Sequence, residues 1–179
     1  ASKEAVGMME KKGVLYQGFP SMEELEKSPG VPSKDRIRKG PVACIECVQE
    51  IPCNPCEEAC PYGAIKVGKP ITNLPVLDQD KCIGCGNCIA ACPGLAIFVV
   101  NGAREKAQIS FPYEYHPLPK RGDTVDCVDR SGKVVTSGRV LRVVKAPNYD
   151  HTAVITVEVD QAYIDVVRSI KRLEGSDDE

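Results

Sequence analysis

The chain has 179 residues, 42% hydrophobic and 27% charged, with a formal net charge of −2. That suits one ordinary domain or two small ones. No stretch approaches the ~20 apolar residues of a membrane helix, and so mild a charge argues against nucleic acid, whose phosphates are met by clustered Lys and Arg.

Residues 1–40 mix Gly, Pro, Ser and charge, and read as an arm with little core of its own. Within it, Ser21 to Lys27 suits a short helix, Ser21 capping it and Glu24 completing a capping box, with Pro29 and Pro32 stopping it soon after. Arg36, Arg38 and Lys39 form the densest basic cluster, expected to be solvated. The first residues lack the basic, apolar, small-residue order of a secretory signal, so a cytoplasmic protein is expected.

Residues 41–104 hold nine of the ten cysteines, from Cys44 to Cys92. Without a secretory signal, such density points to metal rather than disulfides. The segment Cys53 to Val67 repeats as Cys85 to Val99. Cys53, Cys56, Ala59, Cys60, Pro61, Ala64, Ile65 and Val67 recur as Cys85, Cys88, Ala91, Cys92, Pro93, Ala96, Ile97 and Val99. A repeat of this kind means two copies of one supersecondary unit. Each copy reads as a cysteine loop, a short helix and a strand, with Ile65, Val67, Ile97 and Val99 packing between them.

Residues 105–174 read as a small β-rich domain. Val125 and Cys127 alternate with charge, Lys133 to Lys145 is rich in Val, and Arg130 to Lys133 reads as a hairpin turn. Thr152 to Val159 alternates as a half-buried strand does. A helix is expected from Asp160, its cap, with Tyr163, Val166, Val167, Ile170 and Leu173 as its apolar stripe. Three or four strands and a C-terminal helix suggest an SH3-like or OB-like barrel. Tyr113, Tyr115 and Pro117 read as an aromatic linker, Cys127 as a small buried hydrophobe, and His116 and His151 as surface residues. Residues 175–179 read as a disordered acidic tail.

The second copy has the spacing Cys82-x2-Cys85-x2-Cys88-x3-Cys92-Pro93. Three cysteines at three-residue intervals let a tight loop wrap one face of an iron–sulfur cubane, and the fourth points away to a second cluster. Gly84 and Gly86, without Cβ atoms, allow close approach of the backbone. The first copy departs from this spacing, because Glu50 stands where Cys82 has its counterpart. Cys53, Cys56 and Cys60 remain, and Cys44 and Cys47 stand upstream. The expected sets are Cys82, Cys85, Cys88 and Cys60 for cluster A, and Cys53, Cys56, Cys92 and Cys47 (or Cys44) for cluster B. Cys47 is favoured. A second arrangement binds Cys44 and Cys47 with Cys56 and leaves Cys53 free. Pairs Cys44/Cys47 and Cys53/Cys56 also suit zinc, but the run from Cys82 to Cys92 does not.

Cys44 to Val99, about a third of the chain, resembles the two-[4Fe–4S] bacterial-type ferredoxins. The resemblance implies an α+β chain whose first domain is a ferredoxin-like (βαβ)2 unit with two [4Fe–4S] clusters, each carrying one electron at a time. The spacing of Cys44 and Cys47 also resembles the iron–sulfur subunits of molybdopterin oxidoreductases. The arm, the phrase IPCNPCEEACPYGAI and the C-terminal β region together resemble the small iron–sulfur subunit of multi-subunit, FAD-dependent amino-acid dehydrogenases of the proline and hydroxyproline type. That resemblance implies flavoprotein partners and no catalytic residue on this chain; exposed clusters of this type are oxygen-sensitive, so an anaerobic or microaerobic cytoplasm is expected. No Gly-rich dinucleotide fingerprint is present, so flavin or NAD is expected on a partner. The alternative is a free, diffusing ferredoxin.

Overall fold

The computed structural model describes residues 11–174; the acidic tail expected at 175–179 lies outside the described residues. Three short helices come first: α1 (Val14–Gln17), α2 (Met22–Lys27) and α3 (Lys34–Lys39). Helix α2 starts as its sequence dictates. The Ser21 hydroxyl accepts from Glu24 N–H at 3.2 Å, and the Glu24 carboxylate accepts from Ser21 N–H at 2.8 Å. Two donors that a helix start leaves free are thereby satisfied. The arm has more core than expected. Leu25 and Ile37 are buried, and Gly102 N–H bonds Ile37 O at 2.9 Å.

The cysteine region runs β1 (Val42–Ile45), α4 (Pro55–Glu58), β2 (Ile65–Lys66), β3 (Val76–Leu77), α5 (Asn87–Ala91) and β4 (Ile97–Asn101). β1 pairs antiparallel with β4, Val42 opposite Val100 and Ile45 opposite Ile97. β2 pairs antiparallel with β3. Helices α4 and α5 pack against each other. Ile65, Val67, Ile97 and Val99 are buried, as their place in the repeat suggests.

The chain continues as β5 (Ala107–Tyr113), β6 (Thr124–Val128), β7 (Val134–Val144), β8 (Ala153–Val159) and β9 (Ser169–Ile170). These strands do not stand apart from the cysteine region. One seven-stranded sheet runs β1-β4-β5-β8-β7-β6-β9, and β4 joins its halves by pairing with β1 and β5. The edge strand β9 comes close to β5 without pairing with it, so the sheet curls.

Three expectations for this region change. The linker expected at Tyr113, Tyr115 and Pro117 begins inside a strand: β5 runs to Tyr113, and only Tyr115 and Pro117 lie beyond it. Ile109, Phe111 and Tyr113 on alternate positions are buried, and the strand pairs with β8 along its whole length. β8 is buried on both faces rather than one, and both of its edges are paired, with β5 and β7. The C-terminal helix is absent. Asp160 caps, accepting from Ala162 N–H at 3.0 Å, but only a 3-10 turn follows at Gln161–Tyr163. The chain then extends, and Ile170 pairs with Cys127 of β6. Tyr163, Val166, Val167 and Ile170 are rich in ring and β-branched side chains, which lose rotamer freedom in a helix and suit a sheet.

The hairpin from β6 to β7 turns where predicted. The Asp129 carboxylate accepts from Ser131 and Lys133 N–H at 2.9 and 3.1 Å, which fixes the turn locally. Gly138 in β7 answers a different need. A Cβ there would lie 2.7 Å from Cys127 Sγ, so only glycine lets the strands approach.

Candidate iron–sulfur site

Two cavities open beside the helices of the repeat. Cavity A is lined by Cys60, Cys82, Cys85 and Cys88, with Ala43, Tyr62, Ile65 and Ile83 around them. Cys82 and Cys85 lie on the loop before α5, Cys88 on its first turn, and Cys60 just after α4. The loop turns tightly because Gly84 has φ +70° and presses on Pro41; a Cβ at Gly84 would lie 2.6 Å from the Pro41 ring. Two backbone donors point at sulfur. Ala43 N–H reaches Cys82 Sγ and Ala64 N–H reaches Cys60 Sγ, both at 3.3 Å. The Cys88 thiol is pushed up to about 12, first by burial and then by the charges of Cys82, Cys85 and Cys60.

Cavity B is lined by Cys47, Cys53, Cys56 and Cys92, with Ile45, Ile51, Pro55 and Ile97. Cys56 lies on α4, which Pro55 starts at a position where a missing N–H does no harm. Ala96 N–H reaches Cys92 Sγ at 3.5 Å. The Cys56 thiol is pushed up to about 11, by burial and then by the charge of Cys92. Burial also raises the Cys47 thiol, with the charges of Cys92 and Cys53 adding to the rise. Among the described residues, no group of three or more His, Cys, Asp or Glu converges on a point where one metal ion could sit. The thiols instead border small volumes.

Cys44 lines neither cavity. Side chains alternate along an extended chain. Ala43, Ile45 and Cys47 face the cavities, and Cys44 and Glu46 face the other side. Its thiol is pushed up to about 11 by burial, and the charges acting on it are those of Arg168, Glu46, Arg130 and Asp165 rather than of any cysteine. The zinc reading, which needs Cys44 and Cys47 on one ion, does not fit this placement.

On that other side lies an ion cluster that no sequence motif announces. The Glu46 carboxylate is 4% exposed and accepts from Arg130 at 2.8 and 2.5 Å and from Arg168 at 2.8 Å. Arg168 also donates to Ile164 O and Val167 O at 2.8 and 2.7 Å, and its guanidinium lies over the Phe98 ring. Burial alone would raise the Glu46 carboxyl, but the two arginines hold it below the usual carboxylate range. The partners are 84 and 122 residues from Glu46 in sequence, a separation that no local pattern reveals.

The quartets fit a cubane. Each offers four sulfurs and at least one N–H aimed at sulfur, and buried thiols of high pKa are stable as thiolates only beside bound cations.

The comparisons agree. Residues 75–98, which contain Cys82, Cys85, Cys88 and Cys92, match the 4Fe-4S binding domain family. An uncharacterized ferredoxin of Methanocaldococcus jannaschii is 35% identical over 42% of this chain and 48% of its own. A polyferredoxin-like subunit of the aliphatic sulfonate oxidoreductase of Pyrococcus furiosus is 33% identical over 48% of this chain and 43% of its own. One subunit of the selenate reductase of Mesobacillus selenatarsenatis is 40% identical over 45% of this chain and 24% of its own. The chain spans less than half the length of these relatives. No solved structure matches it. The chain is thus an iron–sulfur protein of the [4Fe–4S] type, with ten cysteines, enough for two clusters.

Proposed function

We propose that the chain is a non-catalytic electron-transfer subunit of an oxidoreductase complex. Cys60, Cys82, Cys85 and Cys88 hold cluster A; Cys47, Cys53, Cys56 and Cys92 hold cluster B. One observation carries this reading. Each cavity takes one thiol from the other copy of the repeat, Cys60 in cavity A and Cys92 in cavity B. This exchange keeps the two sites adjacent, across the contact of α4 with α5. When bound, the clusters supply one-electron storage at potentials set by charge, hydrogen bonds and solvent access. The chain's own groups position the sulfurs, direct N–H dipoles at them and exclude water with Ile45, Ile65 and Ile97.

The partner is a flavoprotein subunit, as in dehydrogenases that take two electrons from the C–N bond of an amino acid, and the complex works in an anaerobic cytoplasm. A flavin releases electrons singly, which suits a carrier that accepts one at a time. No helix of the described residues is long and apolar enough to cross a membrane. A groove of about 610 Å3 beside cavity B, bordered by Cys47, Cys53, Cys92, Phe19 and Leu95, offers a partner access to that end of the relay. A second reading follows from the names of the relatives: the partner is a sulfonate- or selenate-type oxidoreductase instead.

Native mass spectrometry of the assembly, purified anaerobically from its host, separates these readings. A mass well above 19.4 kDa with flavin-bearing subunits is expected. A large assembly without flavin favours the second reading, and a brown monomer the diffusing ferredoxin.

A further inference from the structure

We propose that Arg36 is the positioning residue of cluster A, holding the Cys82 loop and placing a fixed positive charge beside the cluster. The inference rests on the cluster reading above and concerns a residue outside the cysteine motifs. The sequence around Arg36 suggests a solvated basic cluster. The structure puts it elsewhere. Helix α3 begins at the Ser33 cap, whose hydroxyl accepts from Arg36 N–H at 3.2 Å. From that first turn the guanidinium makes four hydrogen bonds. Nε donates to Gln79 O at 2.8 Å and Nη1 to Gly40 O at 3.2 Å. Nη2 donates to Pro41 O at 3.1 Å and to Cys82 O at 2.6 Å. Its neighbour Arg38 pairs with Asp35 instead.

Two consequences follow. The first is geometric. One planar fork ties residues 40–41, which enter β1, to residues 79–82, which deliver the first thiol of cavity A. The same two segments meet again where Ala43 N–H bonds Cys82 Sγ and Gly84 presses on Pro41. Gln79 is gripped twice, since its side-chain carbonyl also accepts from Ser33 N–H at 2.9 Å. The Cys82 sulfur is therefore bonded from β1 while its carbonyl is held from α3. Lysine has one nitrogen and cannot span these four acceptors.

The second consequence is electrostatic. All four acceptors of Arg36 are neutral carbonyls, so none cancels its charge. A positive charge near a cluster favours the reduced, more negative state and raises the potential. Among the described residues, no arginine or lysine lines cavity B, and the arginines on the opposite side of the chain from it, Arg130 and Arg168, share the carboxylate of Glu46.

The test uses the full chain, purified anaerobically, with each midpoint read by redox titration under electron paramagnetic resonance. The signal displaced in Cys85→Ser identifies cluster A. In Arg36→Gln, the midpoint of cluster A shifts negative while that of cluster B stays. A chelator then removes half of the iron about ten- to a hundredfold faster, the loss of affinity typical of removed outer-shell partners being carried by the release rate. Arg36→Lys keeps the charge without the fork, so its midpoint stays near wild type while the fast iron release persists. If Arg36→Gln leaves both midpoints and the release rate unchanged, the proposal is overturned. It is overturned also if both clusters respond equally, or if Arg36→Lys releases iron at the wild-type rate. Loss of cluster A alone in Arg36→Gln supports it, and Arg36→Lys then reads the charge separately. Failure of the cluster reading itself looks different: the wild-type chain then holds no [4Fe–4S] signal.

Discussion

Cavities A and B are built from two copies of one sequence unit, yet they are closed by different means. Cavity A takes three thiols from one regular run, Cys82, Cys85 and Cys88, and its entry loop is fixed by α3. Cys85 is exposed at its rim. Cavity B lacks a cysteine at the equivalent first position, which is Glu50, and Cys47 lines it instead from two residues past the end of β1. The wall behind that strand is the buried cluster of Glu46, Arg130 and Arg168, which ties the cysteine region to the strands after residue 105. A sulfur's position thus depends on the strand face that presents it, and only secondarily on spacing. Cys44 and Cys47 have the same C-x2-C spacing as the ligands, but strand alternation sends them to opposite faces.

The contrast can be broken at its thiols first. Cys88→Ala is expected to empty cavity A and Cys56→Ala cavity B, each lowering iron from about eight to about four per chain, as measured by iron assay on anaerobic protein. Loss of all the iron in either variant would show that the two sites are filled only together. The support behind cavity B gives the next largest effect. Arg168→Ala leaves most of the Glu46 carboxylate's buried charge to Arg130 alone, and removing one partner of a buried pair costs about 3–5 kcal/mol. Denaturant unfolding of the holoprotein should show that loss. The triple change Glu46→Leu, Arg130→Met and Arg168→Met should recover most of it, since no buried charge is then left unpaired. A triple variant as unstable as Arg168→Ala would mean that shape rather than charge holds this wall.

Much of cavity A was legible in the sequence. The run from Cys82 to Cys92 and the matching Cys60 follow from spacing, because a cubane imposes its geometry over a few residues, whereas spacing left the fourth thiol of cavity B open between Cys44 and Cys47. The capping box at Ser21 and Glu24 and the turn at Asp129 were legible for the same reason: their hydrogen bonds close within five residues. What was missed is long-range. Arg36 meets Cys82, and Arg168 meets Glu46, only after the sheet has formed. Pro112 and the prolines after Tyr115 hid β5, although Ile109, Phe111 and Tyr113 kept a period of two. The spacing of Val166, Val167 and Ile170 suits a helix face or a strand equally, and pairing with β6 decided the matter. Alternation along β1, applied to Cys44 and Cys47, was available from the start and would have separated them.

The smallest expected effect sharpens that last point. Cys44 is 3% exposed, packed in β1 with its sulfur 3.9 Å from a Glu46 oxygen. If it serves only as a small buried hydrophobe, Cys44→Ala removes one sulfur from the core and leaves a void of about that size. Truncations of this kind cost about 1 kcal/mol. Both clusters and both midpoints should remain as in the unaltered chain. Cys47→Ala, three residues away and only half-buried, should keep most of the core packing yet lose the iron of cavity B. The pair thus separates packing from ligation in one comparison of iron content with unfolding midpoint. Should Cys44→Ala lose half of the iron while Cys47→Ala keeps all of it, cluster B would be drawing its fourth sulfur from the far face of β1, and the strand would have to rotate when the cluster assembles.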